Sequence, residues 1–224
     1  MATSDSRGSC YLCGTTEGLT RDHIPPLNLF PTPRPNNLIT VDCCESCNQA
    51  MALSDERMRV FLSAPAGRSQ AGDQAWERVV QSSFRRSEPL RTQFAKSMIE
   101  VLALRNGVIS PHQAITHPQD EVKAYILRIT KGLLRNFYPN LDYREHVFSV
   151  DHLNPLPADD VGMLIANFTH DFRGDDVFRF FRGVISEPCM GIWVYLFYER
   201  VWFMATHGPA DVLKSYPGFA SVES

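Results

Sequence analysis

The chain has 224 residues, 44% of them hydrophobic and 21% charged, with a formal net charge of −3. This ordinary globular composition excludes pervasive disorder and suits one large domain or two small ones. It also excludes a bulk basic signature, so any contact with nucleic acid must rest on a local site. No apolar run approaches the ~18–20 residues that span a bilayer, which argues against a membrane partner. The opening "MATSDSRGS" lacks the apolar core of a signal peptide. The expected compartment is the cytoplasm, where thiols stay reduced and paired cysteines favour metal over disulfides.

In chain order, the first feature is "CYLCG" at Cys10 to Gly14, answered some thirty residues later by "CCESCN" at Cys43 to Asn48. Two C-x2-C pairs at this separation predict a tetrahedral site of four thiolates, the usual setting of a structural Zn2+. Either Cys43 or Cys44 could open the second pair. Only Cys44 keeps the two-residue spacer, so Cys10, Cys13, Cys44 and Cys47 are the expected ligands. Cys43 and Cys189 are left as small buried residues. Between the pairs, "IPPLNLFPTPRPNN" is too rich in proline for helix or central strand and predicts an ordered loop. "NLITV" predicts a short strand leading into the second pair.

From Cys47, "CNQAMALSDERMRVFL" predicts helix, with Ser54 as a second N-cap dividing it into two pieces. "APAGRSQAGD" predicts a linker. Two further helices are expected, "QAWERVVQSSFRR" and "LRTQFAKSMIEVLALRNG", the latter with Leu90, Phe94, Met98 and Val101 on one stripe and Gly107 as its C-cap. Arg57, Arg59, Arg68, Arg78, Arg85, Arg86 and Arg91 fall in or near these helices, and either a phosphate track or a mixed solvated surface would account for them. "DEVKAYILRITKGLLRNFYP" predicts one more strong helix, ended by Pro139. The period then changes: "DVFRFFRGVI", "GIWVYLFY" and "RVWFMATH" read as aromatic, β-branched strands, the last two as a hairpin around Glu199-Arg200, with a further strand in "GMLIANFTHDF". Their aromatic side chains are expected in the core. His152, His170 and His207 lack ligand-like spacing and receive no role. The expected class is α+β, in three parts: residues 1–62 the cysteine module, 63–110 a helical extension, and 111–224 a helix with an antiparallel sheet.

One pair of residues lies inside the cysteine frame. "LTRDHIPP" follows the first pair by about ten residues and is followed by "NNLITV" and "CCESCNQA". This order of parts resembles the HNH endonucleases of the ββα-metal (treble-clef) superfamily, and most of all the members whose motif is framed by four cysteines. The resemblance covers the first fifth to quarter of the chain. It implies that His23 is the general base that activates water. It makes Asp22 the acidic ligand of a catalytic Mg2+ or Mn2+, and Asn48 a second ligand at the start of the helix. Asn37, with Asn36 beside it, matches the loop asparagine that aims His23. The zinc would stay out of the reaction. The activity implied is one-metal hydrolysis of a nucleic-acid phosphodiester, DNA first, with the C-terminal part serving targeting, regulation or homo-oligomer formation. The competing expectations are a non-catalytic zinc-binding module for nucleic acid or protein, and a latent nuclease gated by its C-terminal part.

Overall fold

The computed structural model describes residues 8–65, 67–105, 107–153, 162–163, 165–174, 176–185 and 189–213. Strand β1 (Leu19–Ile24) pairs antiparallel with β2 (Ile39–Cys44), in a register that sets Asp22 against Val41 and His23 against Thr40. The Pro-rich segment between them is a loop holding one 3-10 turn at Leu27–Leu29, as its prolines require. Helix α1 (Glu45–Ser63) starts directly from β2, with Cys44 at its N-cap. It runs unbroken through Ser54, so the expected division into two pieces is corrected. Ser54 makes no capping bond; the helix is braced past it by Arg59, which pairs back to Glu56 one turn earlier and reaches out to Ser83.

The expected linker is shorter than its composition suggested, because α2 (Gln70–Arg78) begins within it, capped by Ser69. The rod continues through a π-helical turn at Val79–Ser83 and a last α-turn at Phe84–Arg86. Helix α3 (Glu88–Ser97) stops well short of the predicted Gly107 cap. The chain turns instead into a β-hairpin, β3 (Met98–Arg105) and β4 (Val108–Ile115), with Gly107 in its turn at φ 78°. The apolar stripe was compatible with a helix. The β-branched Ile and Val and the "NG" dipeptide carried the competing signal, since that pair is the strongest short hairpin mark.

Helix α4 (Gln119–Phe137) is the long helix predicted before Pro139. Strands β5 (His146–His152), β6 (Thr169–Arg173), β7 (Phe178–Ile185), β8 (Met190–Phe197) and β9 (Val201–Pro209) form one antiparallel sheet in the order β5-β9-β8-β7-β6. A short helix, α5 (Ala210–Leu213), ends the described chain. The class is α+β, as the change of period implied. Trp193, Tyr195 and Phe197 are fully buried, which places the aromatic strands in the core.

Helix α4 joins the two ends of the molecule. Towards the cysteine module, Gly132 lies so close to β1 that a Cβ there would sit 2.5 Å from Ile24 Cδ1. Towards the sheet, the Thr130 hydroxyl meets the Tyr195 hydroxyl at 2.7 Å. Two further bonds run between the parts: Tyr143 donates to the Tyr11 carbonyl at 2.8 Å, and Tyr198 to the Leu29 carbonyl at 2.7 Å. One continuous core therefore runs from Cys10, Ile24 and Phe30 through Ile126 and Leu133 to Tyr195 and Phe197. The described residues of the cysteine module and of the helix-and-sheet part share their hydrophobic interior.

Candidate metal centre and the buried charge cluster

The sulfurs of Cys10, Cys13, Cys44 and Cys47 lie within 4.8 Å of one another, so the four cysteines could hold a metal ion. Each pair sits where the backbone turns sharply. In the first, the Gly14 amide donates to the Cys10 carbonyl at 2.8 Å, with Gly14 at φ 81°, a conformation that glycine adopts without strain. In the second, Cys44 caps α1 and Cys47 lies in its first turn, where free amides stabilise negative sulfur. Sulfurs on a tetrahedral zinc stand about 3.8 Å apart, given Zn–S bonds of about 2.3 Å. The observed 3.6 Å between Cys13 and Cys44 fits that geometry.

The electrostatics divide the four thiols: burial and the neighbouring sulfurs push Cys47 up, and against the Thr15 amide the sulfurs of Cys10 and Cys44 push Cys13 up, while the other two come down. The Ser46 hydroxyl beside Cys44, together with the Cys47 amide, lowers the Cys44 thiol to about 6. Burial opposes the Cys10 thiolate, but the amides of Cys44, Cys13 and Leu12 outweigh it and bring that thiol down. Cys43, the alternative start of the second pair, is not in the cluster. It lies buried in β2, with its sulfur 3.9 Å from that of Cys10, and burial pushes its thiol up.

The residues that the HNH resemblance singled out are distributed over this frame. Asn48 is brought to β1, where its Nδ2 donates to Thr20 Oγ1 at 3.3 Å. Thr20 and Asp22 alternate on one face of the strand. His23 is the next residue along, so it projects from the opposite face with Arg21, and it is partly exposed. Asn37 is exposed on the loop before β2 and has no hydrogen-bond partner among the described residues. The structure thus gathers Asn48 onto the Asp22 side of the hairpin and leaves His23 on the other.

Asp22 itself is 5% exposed and fully engaged. Tyr11 Oη donates to it at 2.7 Å, and Arg128 Nη2 reaches both of its oxygens, at 3.0 and 3.1 Å. Arg128 also pairs with Asp55 of α1 and donates from Nε to Tyr11 Oη at 3.2 Å. The cluster therefore comprises two carboxylates, one phenol and one guanidinium, held between β1, α1 and α4. Burial raises Asp55 above the usual carboxylate range against the pull of Arg128, and it raises the Tyr11 phenol, helped by the charge of Asp22. Sequence reasoning missed Arg128, Asp55 and Tyr11. The available signal was Arg128's position, a lone arginine on the stripe made by Tyr125, Ile129 and Leu133, where a charge must find partners.

Most of the arginines after the module are engaged within the chain: Arg57 pairs with Glu121, the buried Arg59 with Glu56, Arg68 with Asp73 and Arg91 with Glu88, while Arg78 donates to Thr32. Arg85 and Arg86 are exposed, and Arg86 donates to the Ser82 carbonyl.

The fold and site define an α+β protein with a hairpin and helix joined by a four-cysteine cluster. No family model matches the chain, and no curated protein or solved structure is significantly similar to it. No helix among the described residues is long and apolar enough to cross a membrane.

Proposed function

We propose that the chain is a metal-dependent phosphodiesterase of the HNH type, acting on nucleic acid and in the first place on DNA. The observation that supports this most is the β1-β2-α1 unit closed by four cysteines, with Asn48 of α1 bonded to β1 two residues from Asp22. In this reading zinc fills the four-thiolate site as scaffold, and its closed coordination keeps it out of the reaction. Asp22 and Asn48 supply oxygen ligands of the kind that suit Mg2+ or Mn2+. Such an ion, when bound, neutralises charge developing on the scissile phosphate. His23 is the base in this reading; because it projects from the face of β1 opposite Asp22, it takes the proton of the attacking water only once the end of the strand turns it towards the ion. Because Arg128 holds both oxygens of Asp22, the ligand set is complete only after that ion pair opens, so the described state is a resting one.

The same ion pair favours a second reading, a non-catalytic zinc module in which Asp22 is a structural anion. Nicking of plasmid DNA separates the two. Wild-type protein is incubated with Mg2+ or Mn2+, with and without EDTA, beside His23→Ala and Arg128→Gln. The nuclease reading expects EDTA-sensitive nicking that His23→Ala abolishes and Arg128→Gln retains or raises. Nicking that survives His23→Ala removes the general-base assignment. No cleavage by wild type or by an Arg128→Gln chain shown to be folded by circular dichroism, with DNA or RNA still retarded on a gel, favours the binding module. Metal analysis of the purified chain is expected to find about one zinc, lost in Cys10→Ser and Cys47→Ser.

A further inference from the structure

The β3-β4 hairpin carries no hydrophobic core of its own. Leu102, Leu104 and Ile109 are 74%, 70% and 68% exposed, and Val108 is exposed as well. An isolated two-stranded hairpin is marginal in water, whereas three or more strands sustain themselves. The ribbon's main packing against the rest of the chain is at its base, where β3 runs on from α3.

Its two edges differ. The Thr116 amide donates to the Ser97 carbonyl at 2.8 Å, which makes Ser97 and Thr116 a hydrogen-bonded pair. Pairs alternate along an antiparallel ladder. Met98, Glu100, Leu102 and Leu104 therefore lie in the non-bonded pairs, and their N–H and C=O groups point away from β4. On the other strand the outward residues are Ile109, Pro111, Gln113 and Ile115. Pro111 has no N–H to offer, so the outer edge of β4 is interrupted at its middle. The edge of β3 has four consecutive outward donors and acceptors and no proline.

We propose that β3 pairs antiparallel with β3 of a second copy of this chain, forming a four-stranded sheet β4-β3-β3-β4 across a twofold axis. One open edge and one blocked edge close such an assembly at two copies, whereas two open edges would propagate it. The occupant is a second copy because the ribbon is self-complementary. Its sequence carries one Glu and one Arg, so two ribbons approach without net repulsion, and the apolar Leu102 and Leu104 come beside their counterparts. The same neutrality makes it a poor surface for a phosphate backbone. An eight-residue strand is about 27 Å long. Pairing along it removes on the order of several hundred Å2, which belongs with weak interfaces and a dimer in the micromolar range.

Sedimentation equilibrium of the full chain from micromolar to sub-millimolar concentration tests this, together with residue-resolved amide exchange. A reversible dimer is expected, with the amides of Met98, Glu100, Leu102 and Leu104 protected as its population rises. Leu102→Pro removes an outward N–H and, like Pro111 opposite it, spares the ladder; Leu102→Lys puts a charge on the same edge. Each should weaken self-association by roughly tenfold or more and expose those amides. Ser110→Lys, which lies on β4 away from the β3 edge and has an inward N–H, should leave the dimer in place. A chain that stays monomeric throughout would overturn the proposal. So would a dimer that both Leu102 variants leave intact, or one in which the β3 amides exchange freely.

Discussion

Arg128 occupies the position between β1 and α1 where two carboxylates would otherwise face each other without a counter-ion. Burying such a group is costly unless every charge finds a partner, and removing one partner leaves the others exposed to that cost. Arg128→Met should therefore destabilise the chain by about 3–5 kcal/mol in urea unfolding. Adding Asp22→Asn and Asp55→Asn to Arg128→Met should recover a good part of the loss, because no uncompensated charge then remains. A loss below about 1 kcal/mol for Arg128→Met would show that water or side-chain movement relieves the cluster. In the nuclease reading the same residue withholds Asp22 from a divalent ion, so stability and latency rest on one side chain.

At the scale of elements, α4 determines how the cysteine module is carried. Gly132 permits the close approach of α4 to β1, and no other residue type fits without displacing the fully buried Ile24. Gly132→Ala gains helix propensity but forces a methyl group into that contact. Overpacking of this kind costs about 1–3 kcal/mol and exceeds the propensity gain of about 1 kcal/mol. The expected outcome is a net loss of stability in thermal unfolding, reversed in part by Ile24→Val, which trims the clashing Cδ1. A Gly132→Ala chain more stable than wild type would mean that the contact relaxes freely. Local signals compete in a similar way at the junction of α3 and β3. The run from Leu90 to Arg105 has apolar residues at helical spacing, yet the chain leaves the helix at Ser97 because β-branched residues and a two-residue turn favour a hairpin.

Across the whole molecule, the sheet holds a histidine that ties stability to pH. His207 of β9 is fully buried, stacked on His146 with 3.1 Å between their Nδ1 atoms. Burial, reinforced by the neighbouring His146, pushes His207 down to about 3. The folded chain therefore keeps it neutral, while the unfolded chain protonates it near the ordinary value of 6.5. Its contribution is complete above that value and is lost as pH falls towards 3, because protons then favour the unfolded state. Between pH 6.5 and about 4.5 the loss should be on the order of 2 kcal/mol. His207→Phe keeps a stacking ring and removes the titration, so denaturant midpoints measured across this range should flatten. An unchanged slope would assign the acid sensitivity to other groups.

Local chemistry already determined a good deal. The C-x2-C spacing favoured the four clustered cysteines over Cys43 without excluding it, since knuckles over two to four residues occur, and the clustering of the sulfurs decided between them. Proline content marked the loop before β2, and the switch from period 3.6 to alternating aromatic residues marked α4 and the sheet. Only the tertiary structure decided the rest. Asp22 meets Arg128 across 106 residues of chain, and no local pattern encodes a partner at that distance. The opposite facing of Asp22 and His23 follows from their being consecutive in a strand, which became visible once β1 paired with β2. The joining of the cysteine module to the C-terminal sheet through a single core depended on how α4 packs, with Gly132 on one side and Thr130 on the other.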